Sequence, residues 1–153
     1  MRNKHKLLIE QLDHKLHVFQ TAKETTVPAK GWIHTIRTAL NMTLAQLGAK
    51  LKITRQGMKR IEESEAKGTI NLNTLRQLAE VLDLQLVYGF VPKDGTIDKL
   101  VNKNAEELAR KIVLRTSHTM QLENQGISDE KINDSIKDLA QEIKREMRKS
   151  LWD

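Results

Sequence analysis

The chain has 153 residues and a formal net charge of +6, and 39% of its residues are hydrophobic but only 3% are aromatic. This length allows one or two small domains, and the composition favours helical cores built from Leu, Ile and Ala over a large enzyme core. The absence of cysteine excludes disulfides, thiolate metal sites and a cysteine nucleophile.

Neither a membrane span nor a signal peptide is predicted. The sequence has no run of about 18 apolar residues, the length that a membrane-spanning helix needs. Near the N-terminus, the apolar residues Leu7, Leu8 and Ile9 are followed at once by Glu10 and Gln11, which is not the pattern of a signal peptide. We therefore expect a cytoplasmic protein that does not contact a membrane.

The first predicted element is an amphipathic helix over residues 4–20. Four residues at helical spacing form its expected apolar face: Leu8, Leu12, Leu16 and Phe19. His14 and His17 are spaced to share a metal, but no third ligand is evident, so no metal site is predicted. Residues 25–31 have the turn chemistry of a connector. Residues 1–27 are thus predicted to be an N-terminal helix and linker.

Two short helices joined by a tight turn are predicted between Thr43 and Ser64. Thr43 and Thr54 are suited to cap the N-termini of these helices. Each cap is followed by apolar residues at helical spacing, which are Leu44, Leu47 and Leu51 in the first helix and Met58 and Ile61 in the second. This is the arrangement of a helix-turn-helix, the centre of a predicted domain over residues 28–92.

The predicted helix-turn-helix lies in the most basic part of the chain. Between Thr25 and Ile61 there are seven Lys or Arg residues and no Asp or Glu, which favours double-stranded DNA as a partner over a merely solvated face. Arg55, Gln56 and Arg60 are expected to reach base edges in the major groove, while other residues hold phosphates. The candidate DNA-binding residues are Thr43, Thr54, Arg55, Gln56, Lys59 and Arg60.

Residues 84–91, LQLVYGFV, are the one β-like run in the sequence. A single strand cannot satisfy its own backbone donors and acceptors, so we expect it to pair with the same strand of a second copy and form a two-fold homodimer. The alternative is an irregular, buried tail. The candidate dimerisation residues are Leu84, Leu86, Tyr88 and Phe90.

Two amphipathic helices are predicted in residues 93–153. The first begins at Thr96 and ends near Gly126, and the second begins at Ser128. Two helices with apolar stripes should pack together as a hairpin, and any stripe left over is a site for a partner. The fold class is therefore mostly α: a repressor-like helix-turn-helix bundle with one short dimerising β-strand and a C-terminal helical extension.

A six-residue piece of this extension, residues 119–124 with the sequence TMQLEN, is a candidate functional motif. Thr119 and Glu123 are four residues apart, so a helix presents them on one face. Asn124 tolerates the left-handed conformation that ends a helix. The piece resembles the inhibitory motif of Fic antitoxins, which is Ser or Thr, three residues, Glu, then Gly or Asn. The alternative is a chance match.

Two family resemblances extend this interpretation. The segment LAQLGAKLKITRQGMKRIE resembles the helix-turn-helix of the phage-repressor and Cro type, called the XRE family. The chain from about Pro28 to its closing LWD resembles a narrower family, mobile mystery protein A. That resemblance implies an antitoxin paired with a Fic-domain toxin, in which Glu123 would pair with an arginine that otherwise holds the γ-phosphate of ATP.

The sequence contains no catalytic motif, so we expect neither an enzyme nor a cofactor. Two functions are compatible with each other: autorepression of the protein's own operon through its operator, and inhibition of a Fic-type AMP-transferase by residues 93–153. The alternative is a stand-alone XRE-family repressor with a C-terminal dimerisation region.

Overall fold

The computed structural model describes residues 2–122 and 128–153. Within these residues there are seven α-helices: α1 (Arg2–Leu16), α2 (Trp32–Ala39), α3 (Leu44–Lys50), α4 (Arg55–Lys67), α5 (Leu72–Val81), α6 (Ile97–Leu122) and α7 (Asp129–Glu146). Short 3-10 helices cover His17–Phe19, Thr21–Glu24 and Lys149–Trp152. None of the described helices has the length and apolar character needed to cross a membrane.

The chain divides into two compact units. The central unit is Glu24–Tyr88, and the terminal unit combines Met1–Lys23 with Gly89–Asp153. The sequence-based division into residues 1–27, 28–92 and 93–153 keeps the first helix apart from the C-terminal helices, whereas the structure groups them together. Each unit has its own apolar core.

The central unit is a bundle of α2 to α5 around four buried side chains, Ile33, Leu47, Met58 and Leu78. The predicted caps are present. The Thr43 hydroxyl accepts a hydrogen bond from the Gln46 backbone N–H, and the Gln46 side chain accepts one from the Thr43 N–H, so a full capping box begins α3. The Thr54 hydroxyl accepts a hydrogen bond from the Gly57 N–H at the start of α4.

The turn between α3 and α4 is close-packed at Gly48. A Cβ atom at this position would lie 3.0 Å from the carbonyl oxygen of Ile53 and 3.2 Å from that of Thr54. The Ile53 N–H also donates a hydrogen bond to the Gly48 carbonyl over 2.9 Å. Glycine in the middle of a helix costs about 1 kcal/mol relative to alanine. At this position it is needed because the backbone of the turn passes too close for a larger side chain.

In the terminal unit, α6 and α7 pack against each other as the sequence predicts. Their core consists of small and branched side chains, which include Val101, Ala105, Ala109, Ile132, Ile136, Ala140 and Ile143. Alanine at 105, 109 and 140 allows the two helices to approach closely. The predicted end of the first of these helices, near Gly126, lies outside the described residues.

The orientation of α1 differs from the prediction. Of the predicted apolar face, Leu8 and Leu12 are 49% and 42% exposed and Leu16 and Phe19 are half-buried, whereas Ile9 packs on the core of the terminal unit. The cause is polar. The carboxylate of Asp13 accepts hydrogen bonds from the first backbone N–H groups of α6, at Ile97 (2.6 Å) and Asp98 (3.2 Å). Because Asp13 points at α6, Leu8 and Leu12 lie on the outward side of α1.

Residues 84–91 form neither a helix nor a strand in the single chain. Across the described residues, no backbone hydrogen bond involves residues 85–91. Of the alternative, an irregular and buried tail, the irregular conformation is what the single chain has, but burial is wrong, because Val87 is 67% exposed and Phe90 is 81% exposed. The predicted strand needs a second copy of the chain for its partner, so pairing stays a prediction.

Candidate DNA-binding surface

The outer face of α4 displays the side chains that the sequence predicts to read DNA. Arg55, Gln56, Lys59 and Arg60 are all exposed. Their spacing of i, i+1, i+4 and i+5 places them on one side of the helix, opposite the buried Met58. In the described part of the chain, none of these four side chains makes a hydrogen bond or an ion pair. They are therefore free to bind an external partner.

Thr43 and Thr54, the other two candidate residues, are exposed at the starts of α3 and α4. Each hydroxyl oxygen accepts a hydrogen bond from the backbone of its own helix, over 3.1 Å and 3.0 Å respectively. A hydroxyl that accepts in this way keeps its own proton for donation. Both threonines can cap a helix and donate to a phosphate at the same time.

The inner face of α4 contains a buried ion pair that the sequence analysis does not identify. The guanidinium of Arg37, on α2, contacts both carboxylate oxygens of Glu62, with Nε to Oε2 at 2.6 Å and Nη2 to Oε1 at 3.1 Å. Arg37 also donates to the Met42 carbonyl, and His34 Nδ1 lies 3.1 Å from Glu62 Oε1. The two partners are 8% and 6% exposed. This pair fixes α2 against α4.

One sequence signal could have identified the ion pair. Glu62 follows Met58 by four residues, so it falls on the apolar stripe of α4, where a carboxylate must have a partner. Arg37 follows Ile33 by four residues and falls on the apolar stripe of α2 in the same way. A cation and an anion on facing stripes indicate a buried pair.

A second carboxylate of α4, that of Glu65, caps the N-terminus of α2. Its Oε2 accepts from the Trp32 N–H over 3.0 Å and its Oε1 accepts from the Ile33 N–H over 2.8 Å. Gly31 precedes α2 with φ +88° and has no side chain that could cap the helix itself. The glutamate from another helix replaces the missing cap.

Most cations around the helix-turn-helix have no carboxylate partner. Of the seven cations in residues 25–61, all of which the structure describes, only Arg37 has a carboxylate partner. The remaining six are exposed and unpaired: Lys30, Lys50, Lys52, Arg55, Lys59 and Arg60. Such a concentration of free positive charge attracts a polyanion.

Residues 33–88 match a helix-turn-helix family model. Together with the capped α3–α4 turn and the exposed basic face, this match defines a DNA-binding protein. The domain is a helix-turn-helix of the XRE type, the kind found in transcriptional regulators. The match leaves residues 1–32 and 89–153 without a family assignment. No curated protein and no solved structure matches the chain.

The other predicted site residues lie outside this surface. Leu84, Tyr88 and Phe90 are exposed and Leu86 is half-buried. The Tyr88 hydroxyl accepts from Arg76 Nη2 over 3.3 Å, and the Arg76 guanidinium lies 5.8 Å from the ring centroid, so α5 holds this ring. Of the inhibitory motif, Thr119 lies within α6, but its side chain, like Glu123 and Asn124, lies outside the described residues.

Proposed function

We propose that this protein is a cytoplasmic repressor that binds the operator of its own operon as a homodimer. The observation that supports the proposal is the outer face of α4, where Arg55, Gln56, Lys59 and Arg60 are exposed and unpaired on a helix whose inner face is held by buried contacts. A recognition helix needs both properties, because its side chains must reach base edges while its backbone is fixed. The sequence offers no catalytic motif, so we propose binding without catalysis.

Replacement of single residues on α4 tests the DNA contacts. Arg55→Ala or Gln56→Ala should weaken operator binding by about 1–3 kcal/mol and relax sequence specificity, because each removes a contact to a base edge. Lys59→Ala should weaken binding to operator and random DNA alike and lower the salt dependence, because it removes a phosphate contact. Fluorescence anisotropy at several salt concentrations, with duplexes from the upstream region and of random sequence, measures both effects.

The matched control for these variants is Lys67→Ala. Lys67 is an exposed cation in the last turn of the same helix, and its removal should change operator affinity less than twofold. If Arg55→Ala and Gln56→Ala weakened binding to operator and random DNA equally, the two residues would not read bases.

The proposed dimer forms through residues 84–91, whose backbone groups from 85 to 91 have no backbone partner in the described chain. Leu86→Pro removes a backbone donor from the strand ladder, so it should convert the dimer to a monomer and abolish tight binding to a two-half-site operator. Leu86→Ala, which keeps the donor, is the control. Sedimentation velocity gives the oligomeric state. If the Leu86→Pro protein remained dimeric, the dimer interface would lie outside residues 84–91.

A second function, inhibition of a Fic-type AMP-transferase, is favoured by the motif at residues 119–124 and by the surface of α6. After packing against α7, α6 still leaves Leu100, Ile112 and Leu114 between 39% and 47% exposed. Apolar side chains at these positions suit contact with a protein partner. Glu123 would then block the nucleotide site by pairing with an arginine of the partner.

The inhibitory role depends on one carboxylate. Glu123→Gly and Glu123→Gln should both release AMP transfer by a bound Fic partner, because neither can form the ion pair, while complex formation and operator binding persist. The measurement is labelled product from ATP in a complex reconstituted with the product of the neighbouring reading frame. A partner that is active alone yet stays silent with both variants would make the motif a coincidence, as would the absence of any bound Fic protein.

A further inference from the structure

Of the three glutamates in α4, only Glu63 takes no part in holding α2. Glu62 forms the buried pair with Arg37, and Glu65 caps the N-terminus of α2. Glu63 is exposed, and its side chain forms no hydrogen bond or ion pair in the part of the chain that the structure describes. Contacts within the fold therefore do not explain why a carboxylate lies at this position.

Glu63 lies on the outer face of α4, in line with two residues that we expect to read bases. Gln56, Arg60 and Glu63 are spaced i, i+4 and i+7. At 3.6 residues per turn, their side chains leave the helix within about 60° of one another. Homeodomain recognition helices, a variant of the helix-turn-helix, read the major groove from residues at i, i+3, i+4 and i+7. Glu63 therefore extends the base-reading row by one more turn of the helix.

A carboxylate on this face opposes DNA binding unless it has a specific partner in the duplex. Double-stranded DNA carries one negative charge per about 1.7 Å of its axis, so its phosphates repel Glu63 as they attract Lys59 and Arg60. Lys59 and Glu63 border the same hollow beside α4, but they do not form an ion pair. The repulsion is offset only where a base edge donates a hydrogen bond to the carboxylate, and on other sequences it remains.

The base that suits a lone carboxylate is cytosine. A carboxylate oxygen can only accept hydrogen bonds, and in the major groove only the N4 amino group of cytosine and the N6 amino group of adenine donate them. Adenine presents its donor beside the N7 acceptor, which a carboxylate cannot satisfy but a glutamine amide can. Cytosine has no such acceptor on its own edge, so it is the better partner for a carboxylate.

We propose that Glu63 is a specificity-determining residue that accepts a hydrogen bond from the N4 amino group of a cytosine in the operator. This inference rests on the proposed operator binding by α4. Glu63 follows Gln56 by seven residues, which is about 10.5 Å along a helix that rises 1.5 Å per residue. For a helix that lies along the groove, where base pairs are about 3.4 Å apart, the cytosine is about three base pairs from the base that Gln56 reads.

Selection of duplexes from a randomised library by the full chain, followed by sequencing, tests this assignment. The wild-type protein should select a motif with a cytosine in each half-site, and Glu63→Ala should lower the preference for that cytosine at least about fivefold. Glu63→Gln should select adenine there instead, because its amide satisfies both N6 and N7. Gln56→Ala should lose a different position, about three base pairs away. The far-UV circular dichroism spectrum should not change, because the Glu63 side chain has no contact to lose.

The matched control is Glu80→Gln, which removes the same charge from an exposed position on α5 and should leave the motif unchanged. The wild-type motif in both Glu63 variants would overturn the inference, even if they bound all duplexes more tightly, because Glu63 would then act through its charge alone. That result would leave the proposed operator binding intact. A wild-type protein that selected no motif would contradict operator binding and this inference together.

Discussion

Glu62→Ala is expected to lower the free energy of unfolding of the central unit by about 3–5 kcal/mol. The substitution leaves the guanidinium of Arg37 buried without its carboxylate partner, and a buried charge without a partner is among the most destabilising features that a folded protein can contain. It also removes one of the two side chains that contact His34 Nδ1, the other being Arg37. The same change removes one of the two polar contacts between α2 and α4, because only the Glu65 cap remains.

Urea titration of a chain with a single tryptophan measures this effect. The protein has two tryptophans, Trp32 in the central unit and Trp152 in the terminal unit, so Trp152→Phe leaves a reporter for the central unit alone. The control is the double variant Arg37→Met/Glu62→Leu, which replaces the ion pair by apolar side chains and should be much less destabilised than Glu62→Ala. If the double variant lost as much free energy of unfolding as its two single variants together, Arg37 and Glu62 would not be energetically coupled.

Gly31→Ala is expected to destabilise the central unit by about 2–4 kcal/mol. Gly31 has φ +88°, which an L-residue adopts only with strain of about 1–3 kcal/mol. A Cβ atom there would lie 2.6 Å from Oε1 of Glu65, the oxygen that accepts from the Ile33 N–H. The glutamate must therefore move and leave the start of α2 uncapped, which costs about 0.5–2 kcal/mol more.

Gly68→Ala is the matched control for this glycine. Gly68 also has a positive φ, +79°, but no atom lies within 4 Å of the position of a new Cβ. Its replacement should cost only about 1 kcal/mol, the usual penalty for a left-handed residue that is not glycine. The Trp32 reporter measures both variants in urea. If both variants lost the same free energy of unfolding, the Glu65 cap would contribute nothing to the stability of the central unit.

The features that could be predicted from the sequence are those that depend on neighbouring residues. Thr43 and Thr54 cap their helices as expected, because a cap is decided by the residue and the three amides after it. The exposed row from Arg55 to Arg60 follows equally from helical periodicity and from the buried position of Met58. Local geometry is therefore sufficient to predict which side chains lie on the outer face of α4.

The features that could not be predicted depend on how distant elements meet. The partners Arg37 and Glu62 are 25 residues apart, and Asp13 lies 84 residues from the amide of Ile97 that it accepts from. Hydrophobic periodicity alone does not predict that Leu8 and Leu12 are exposed, because it does not register a single aspartate that contacts another helix. The expected strand at residues 84–91 depends on a second molecule, because the single chain offers its backbone no hydrogen-bond partners.

The division of the terminal unit into two chain segments has a consequence for biosynthesis. α1 is synthesised before α6, which contains the amides that Asp13 caps and begins 81 residues after the end of α1 (97 minus 16). At roughly 5–20 residues per second, that interval is about 4–16 s. The helix-turn-helix unit is completed within this interval and can fold while Ile9 of α1 still lacks the core of the terminal unit on which it packs. Translation speed therefore determines how long the packing face of nascent α1, with Ile9 and Asp13, is open to chaperones.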